Sequence, residues 1–274
     1  MGQQLKAYRS LQLGADAWTG PIGGKPDVYN YDTAQKYAIG TRFAMDERVF
    51  RYVKFGDDDG NAVTWTAGGG RQLEAGVLMA ATTLNVTADS FVGVSDSRTI
   101  AVTDTTTALW TENAFEGGYF LYAGSYMWSC RILGNTATSG NVSTVTLETP
   151  LPLTLTGLYA SCRFMRSPWM GVVRHDGAGG SVFHSTVGVQ VIYGTESAES
   201  EDKYGWIQTW GPVCIQISTS HKGGTTGERT LWAGTSSAQV ETSQTEAQII
   251  GFYMQETSSG NNLSQPMVFL QISP

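Results

Sequence analysis

Acid–base, nucleophilic and metal chemistry would fall to the histidines, cysteines and clustered carboxylates of this chain, and those are sparse. The three histidines stand apart: His175-Asp176 sits in the glycine-rich run "RHDGAGG", His184 opposes the apolar face of a strand-like segment, and His221-Lys222 precedes Gly223-Gly224. No H-E-x-x-H pair is present to hold zinc, and no G-x-S-x-G turn presents a serine nucleophile. All three histidines are expected on surface loops. The run "GDDDGN" over 56–61 spaces Asp57, Asp59 and Asn61 like the opening of a calcium loop. Such a loop then needs Gly where Ala62 stands and Glu where Gly68 stands, so a solvated acidic turn is expected instead.

Glycoside hydrolysis would draw a pair of carboxyls from Glu112, Glu116, Glu199, Glu201 or Asp202, and only the fold decides their separation. "GGGR" and "GGTTG" lack the Lys-Ser/Thr that completes a phosphate cradle. The reading is that of a protein without catalysis, metal or cofactor. Cys130, Cys162 and Cys214 are odd in number and widely spaced, which predicts buried free thiols and no disulfide framework.

The composition points the same way. Charged residues form 15% of the 274, against about 25% in typical domains, while 41% hydrophobic and 11% aromatic content sustains a packed core. A neutral polar surface follows. The net charge of −7 argues against gripping a phosphate backbone, which needs a concentrated Lys/Arg face. No apolar run approaches the roughly 20 residues that cross a bilayer, and "MGQQLKAYRS" lacks the apolar stretch of a secretory signal. Synthesis in a cytoplasm, with no membrane partner, is the expectation.

The elements that would position any site read as all-β. "LQLGADAWTGPIGGKPDVYNYDTAQKY" (11–37) mixes Gly, Pro and isolated aromatics without a period, as an extended arm would, with Trp18, Tyr29 and Tyr31 as its anchors. A hairpin is expected over 39–56 about Asp46-Glu47, with Val49, Arg51, Val53 and Phe55 on one face and Phe50, Tyr52 and Lys54 on the other. The arm is taken as 1–62 and a β-rich sandwich or barrel-like body as 63–274, subdivided near 195–203. Two strands about Asp96-Ser97 are expected within 91–104, one strand with a single core face within 182–193, and a closing hairpin about 258–262. Helix is confined to a turn or two in 105–118 and 236–248.

"KYGWIQTWGPVCIQI" (203–217) alternates Ile207, Val213, Ile215 and Ile217 with Trp206, Trp210 and Cys214, until Gly211-Pro212 signals a bulge or an edge. Both faces of this strand want cover. Two readings stay open: the tryptophans pack within their own domain, or they meet a partner, since Trp and Tyr are enriched at interface cores.

At "YAIGTRFAMDERVFRYVKFG" (37–56), "RILGNTATSGNVSTVTLETPLPLTL" (131–155) and "YGWIQTWGPVCIQI" (204–217), in that order, the sequence resembles virion structural proteins of tailed bacteriophages, of the head-decoration type. The loops 56–70 and 196–202 fall outside the resemblance. It implies a capsid-surface protein of high copy number that binds the major capsid protein and copies of itself, as a homotrimer at local three-fold positions, without a cofactor. The interface residues it would use are Tyr8, Trp18, Tyr29 and Tyr31 of the arm, Phe50 and Tyr52 of the hairpin, and Trp206 and Trp210. Two other virion roles stay open, a tail or fibre β-sandwich that binds host glycan and the capsid shell protein itself. The lack of a long amphipathic helix speaks against the shell protein.

Overall fold

The computed structural model describes residues 26–55, 78–80, 85–86, 90–103, 110–123, 127–158, 162–174, 185–191, 203–215, 229–233, 240–241, 248–254 and 266–273. Among them there is no helix, and eighteen strands form two antiparallel sheets. The fold is all-β, as the sequence predicts.

The chain opens with β1 (Arg42–Met45), β2 (Arg48–Phe55) and β3 (Leu78–Ala80). It continues with β4 (Asn85–Val86), β5 (Ser90–Gly93), β6 (Thr99–Thr103), β7 (Tyr119–Ala123), β8 (Met127–Asn135), β9 (Val142–Leu147), β10 (Leu155–Leu158) and β11 (Cys162–Met165). It closes with β12 (Met170–Arg174), β13 (Thr186–Gln190), β14 (Lys203–Cys214), β15 (Thr230–Ala233), β16 (Val240–Glu241), β17 (Ile249–Tyr253) and β18 (Met267–Gln271).

Two compact units result, and their boundaries differ from the expected arm and body. One unit holds the described residues up to Phe55, β3 and the described residues from Val172 onward; the other holds those within Thr82–Gly171. The 39–56 hairpin forms about Asp46, which takes a left-handed φ of 54° that aspartate tolerates. It is part of no arm. From Val49 to Phe55, β2 is hydrogen-bonded to β14, so it lies inside the larger sheet. Residues before it are anchored too. Asp32 and Tyr204 exchange backbone hydrogen bonds of 2.7 and 2.8 Å, and Val28 and Ile39 are buried. The expected subdivision at 195–203 is likewise replaced, because the second unit is an insertion between β3 and β12, which pair with each other.

The larger sheet runs β1-β2-β12-β3-β13-β14-β18-β17-β15-β16, and β14 also pairs with β2, so the run from β2 to β14 returns on itself. Within that returning run, β13 is covered on both sides. All of β13 is buried where a single core face was expected, and Phe43, Phe50, Tyr52, Phe55 and Trp206 form an aromatic interior. Further along, Leu231, Ile250, Tyr253, Val268 and Leu270 form an aliphatic cluster under β15, β17 and β18.

The second unit is an eight-stranded sheet in the order β10-β5-β6-β9-β8-β7-β11-β4. The expected pair of strands about Asp96-Ser97 is present, with Asp96 at φ 63°. Phe115, Phe120, Ile132 and Phe164 lead its own core. In place of the helical turn expected in 105–118, the described residues 110–118 form linked turns, since Asn113 and Gly117 take φ of 60° and 74°, incompatible with a right-handed helix. Of 236–248, only 240, 241 and 248 are described, and 240–241 are strand.

Candidate interaction surface

The three histidines, the acidic run 57–61, and Glu199, Glu201 and Asp202 lie outside the described residues. Of the other carboxylates, Glu112 is exposed on the 110–118 turns and Glu116 is half-buried there. Among the described residues no three His, Cys, Asp or Glu side chains group to hold a metal ion. Cys130 and Cys162 are buried free thiols as expected, whereas Cys214 is exposed. Burial pushes the Cys162 thiol up to about 12, which leaves it protonated and unreactive at neutral pH.

The two tryptophans of β14 separate at a bulge. Trp206 pairs with Tyr52 and Trp210 with Val49, three residues apart on β2 and therefore on opposite faces; Thr209 is the extra residue between them. Side chains hold this bulge in place. Gln208 donates from Nε2 to the carbonyls of Trp210 (3.0 Å) and Pro212 (2.9 Å), while the Thr209 hydroxyl donates to the carbonyl of Ser273 (2.6 Å). Gly211 follows at φ 89°, with its backbone against that of Glu47.

Trp206 therefore turns into the interior. Its ring centroid lies 5.1 Å from Tyr52, 5.2 Å from Tyr37 and 5.8 Å from Phe43. The Tyr52 hydroxyl donates to Asp32 Oδ2 (2.9 Å) and accepts from the Lys36 backbone N–H (3.2 Å), and the Lys36 ammonium pairs with the same carboxylate. Burial is the main cause that holds the Tyr52 phenol well above its ordinary value, so it stays neutral. The Asp32 hydrogen bond is the main cause raising Lys36.

Three of the expected interface residues are thereby corrected. Phe50, Tyr52 and Trp206 are enclosed by their own chain and offer no ring to a partner. Tyr8 and Trp18 lie outside the described residues. Tyr29 is a surface ring, 49% exposed, whose hydroxyl accepts from the Arg48 guanidinium (2.8 Å), and Tyr31 is half-buried.

Trp210 lies on the other face of β14, with company the sequence did not announce. It meets Phe269 of β18 edge-on (5.7 Å, 83°), and Phe269 stacks on Phe252 of β17 (5.3 Å, 11°). Register sets these side chains in rows. Pro212, Phe269, Phe252 and Thr230 are successive partners across four strands. Cys214 partners Met267, beside which Met254 donates its backbone N–H to the Met267 carbonyl (3.2 Å). Trp210 partners Gln271, and Ile249 partners Trp232. The alternate residues Leu231, Ile250, Val268 and Leu270 point into the core, so this is the outward side of the sheet. It is apolar where an outward face is ordinarily polar, and none of its named side chains carries a charge.

Phe252, Met254, Met267 and Ile249 went unrecognised because apolar residues at both parities of "QIIGFYM" and "PMVFLQ" look like a doubly covered strand. That signal was available. The alignment of those residues with Trp210 and Pro212 was not, since it depends on the register of β14 against β18. No family model, curated protein or solved structure matches the chain.

Proposed function

We propose that this chain is a structural protein of a tailed-bacteriophage virion that decorates the head, cementing the shell through contacts with the major capsid protein and with its own copies. It performs no reaction and holds no cofactor. The observation that carries this reading is the uncharged aromatic and methionine face around Phe252, Phe269 and Trp210, on an acidic chain that resembles head-decoration proteins in three segments. Contacts of this kind rest on buried apolar area, which salt weakens far less than it weakens surface ion pairs. Residues 1–25, with Tyr8 and Trp18, supply further rings to the shell.

The test is addition of purified protein to bare heads, followed by quantitation of bound copies and of head survival on heating. A fixed stoichiometry, a raised disruption temperature and binding that persists in about 0.5 M salt, where the Debye length is only a few ångströms, are the expected results. Deleting residues 1–25 spares Val28, Asp32 and Tyr37, which pack in the first unit, and is expected to weaken addition without unfolding the protein. Failure to bind heads, together with polysaccharide affinity lost in Trp210→Ala, would replace this reading with glycan recognition.

A further inference from the structure

We infer that the outward face of β14, β18, β17 and β15 is a self-association surface, covered by a second copy of this chain. This deepens the decoration reading and rests on it for the high local copy number at which such a contact is populated.

Area comes first. Ile249, Phe252, Met254 and Met267 expose 52%, 37%, 47% and 43% of their surfaces, and Met254 and Met267 adjoin through a backbone hydrogen bond. Taking large side chains at about 200 Å² each and adding the half-buried rings of Trp210, Phe269 and Trp232 gives about 500 Å² per copy. Two copies then bury about 1,000 Å², the lower bound for a specific protein interface. A single patch of about 500 Å² is also at the upper end of what monomers leave in water.

Charge selects the occupant. The chain carries a net charge of −7, so two copies meeting at an ordinary surface repel. None of the described outward side chains of β15, β17, β18 and residues 210–214 is charged, so apposing these strands brings no like charges together, and the exposed Glu47 beside Gly211 is a neighbouring charge. A copy of itself meets that requirement without any complementary charge pattern. The stacked Phe252 and Phe269 provide rigid rings at its centre, the residue class that dominates interface energetics, and the methionines beside them adapt to the facing copy.

Cys214 is a native reporter. It is the exposed thiol on this face, beside Met267, while Cys130 and Cys162 are buried. The experiment measures mass by light scattering across a concentration series, with the rate of Cys214 alkylation by a maleimide in the same samples. Expected are an oligomer at micromolar concentration, alkylation that slows at least tenfold as it forms, and dissociation constants raised at least tenfold in Phe252→Asp. Near-UV circular dichroism checks that this variant folds. If it does not, Met254→Lys, just beyond the end of β17, carries the same test.

A chain that stays monomeric overturns the inference, as does an oligomer whose assembly and Cys214 reactivity are indifferent to these substitutions. An oligomer broken by them that ignores heads would sink the decoration reading alone. Heads decorated by a chain that is monomeric at every concentration would sink this inference alone.

Discussion

Tyr253 carries its hydroxyl into the aliphatic core beneath β15, β17 and β18, where the oxygen is buried without a hydrogen-bond partner. An unmade hydrogen bond of this kind costs about 1–3 kcal/mol, so a ring of the same shape without the oxygen fits better. Tyr253→Phe is therefore expected to raise unfolding free energy at pH 7 by about 1 kcal/mol, measured by chemical denaturation. The pH dependence has a definite sign. Burial pushes the Tyr253 phenol up to about 12 and raises Tyr52 as well, against an ordinary value of 10.0. Between those values the unfolded chain has lost protons that the folded chain keeps, so stability falls as pH rises above 10, by at most about 1.4 kcal/mol per pH unit for each group. Wild-type stability should be flat from these phenols below about pH 9 and decline above 10, with a shallower decline in Tyr253→Phe. A variant weakened at pH 7 would mean that the hydroxyl is hydrogen-bonded after all. Residues such as Tyr52 and Trp206 show why sequence alone misassigned partners: an aromatic ring suits a core and an interface equally, and the choice between them is made by whatever lies across the sheet.

Strands in this protein are specified locally, but their faces are specified at a distance. The hairpin of β1 and β2 was legible because apolar alternation flanks Asp46-Glu47, and the β5–β6 pair because Asp96-Ser97 supplies a turn between two short runs. The closing pair of β17 and β18 was legible for the same reason, with its proposed turn at 258–262 outside the described residues. The sides of β14 were not legible, because the bulge at Thr209 arises from pairing with Val49 and Phe50, far away in sequence. Nor was full burial of β13, where Gln248 completes the backbone of Thr186 with hydrogen bonds of 2.8 and 2.9 Å in both directions. The Gly-Pro of β14 announced an irregularity correctly; only the geometry shows that it turns Trp210 outward. Gly211 is the residue on which that depends. At φ 89°, a Cβ would meet the Glu47 carbonyl oxygen, and the neighbouring backbone cannot yield as a flexible side chain would. Gly211→Ala is expected to cost at least about 2 kcal/mol, combining left-handed strain with the clash. Intrinsic fluorescence during denaturation checks it, and a cost below 1 kcal/mol would show that the bulge relaxes freely.

At the scale of the molecule, the insertion of one β unit between two paired strands of another has a thermodynamic consequence. Among the described residues, the core of the second unit comes from 91–164, and the aliphatic core of the first from β3 and the chain after β12. Because β3 and β12 pair with each other, the chain enters and leaves the insertion at neighbouring strands, and loss of order inside it need not open the larger sheet. Each unit has a residue by which it can be weakened selectively. In the second, buried Asn135 donates to the carbonyls of Thr111 and Thr136 (both 2.9 Å) and accepts from the Phe115 N–H (3.0 Å), tying the 110–118 turns to β8. Asn135→Ala leaves those groups unpaired and should cost about 2–3 kcal/mol. In the first, Leu270 is wholly buried, and Leu270→Ala should cost about 2–5 kcal/mol through the cavity it leaves. Calorimetry of the intact chain is expected to show two transitions, with Asn135→Ala lowering one by about 10 °C and Leu270→Ala lowering the other. If both variants move a single transition together, the two cores melt as one. The nested topology would then serve to couple the units, and any face offered by the first would be lost whenever the second unfolds.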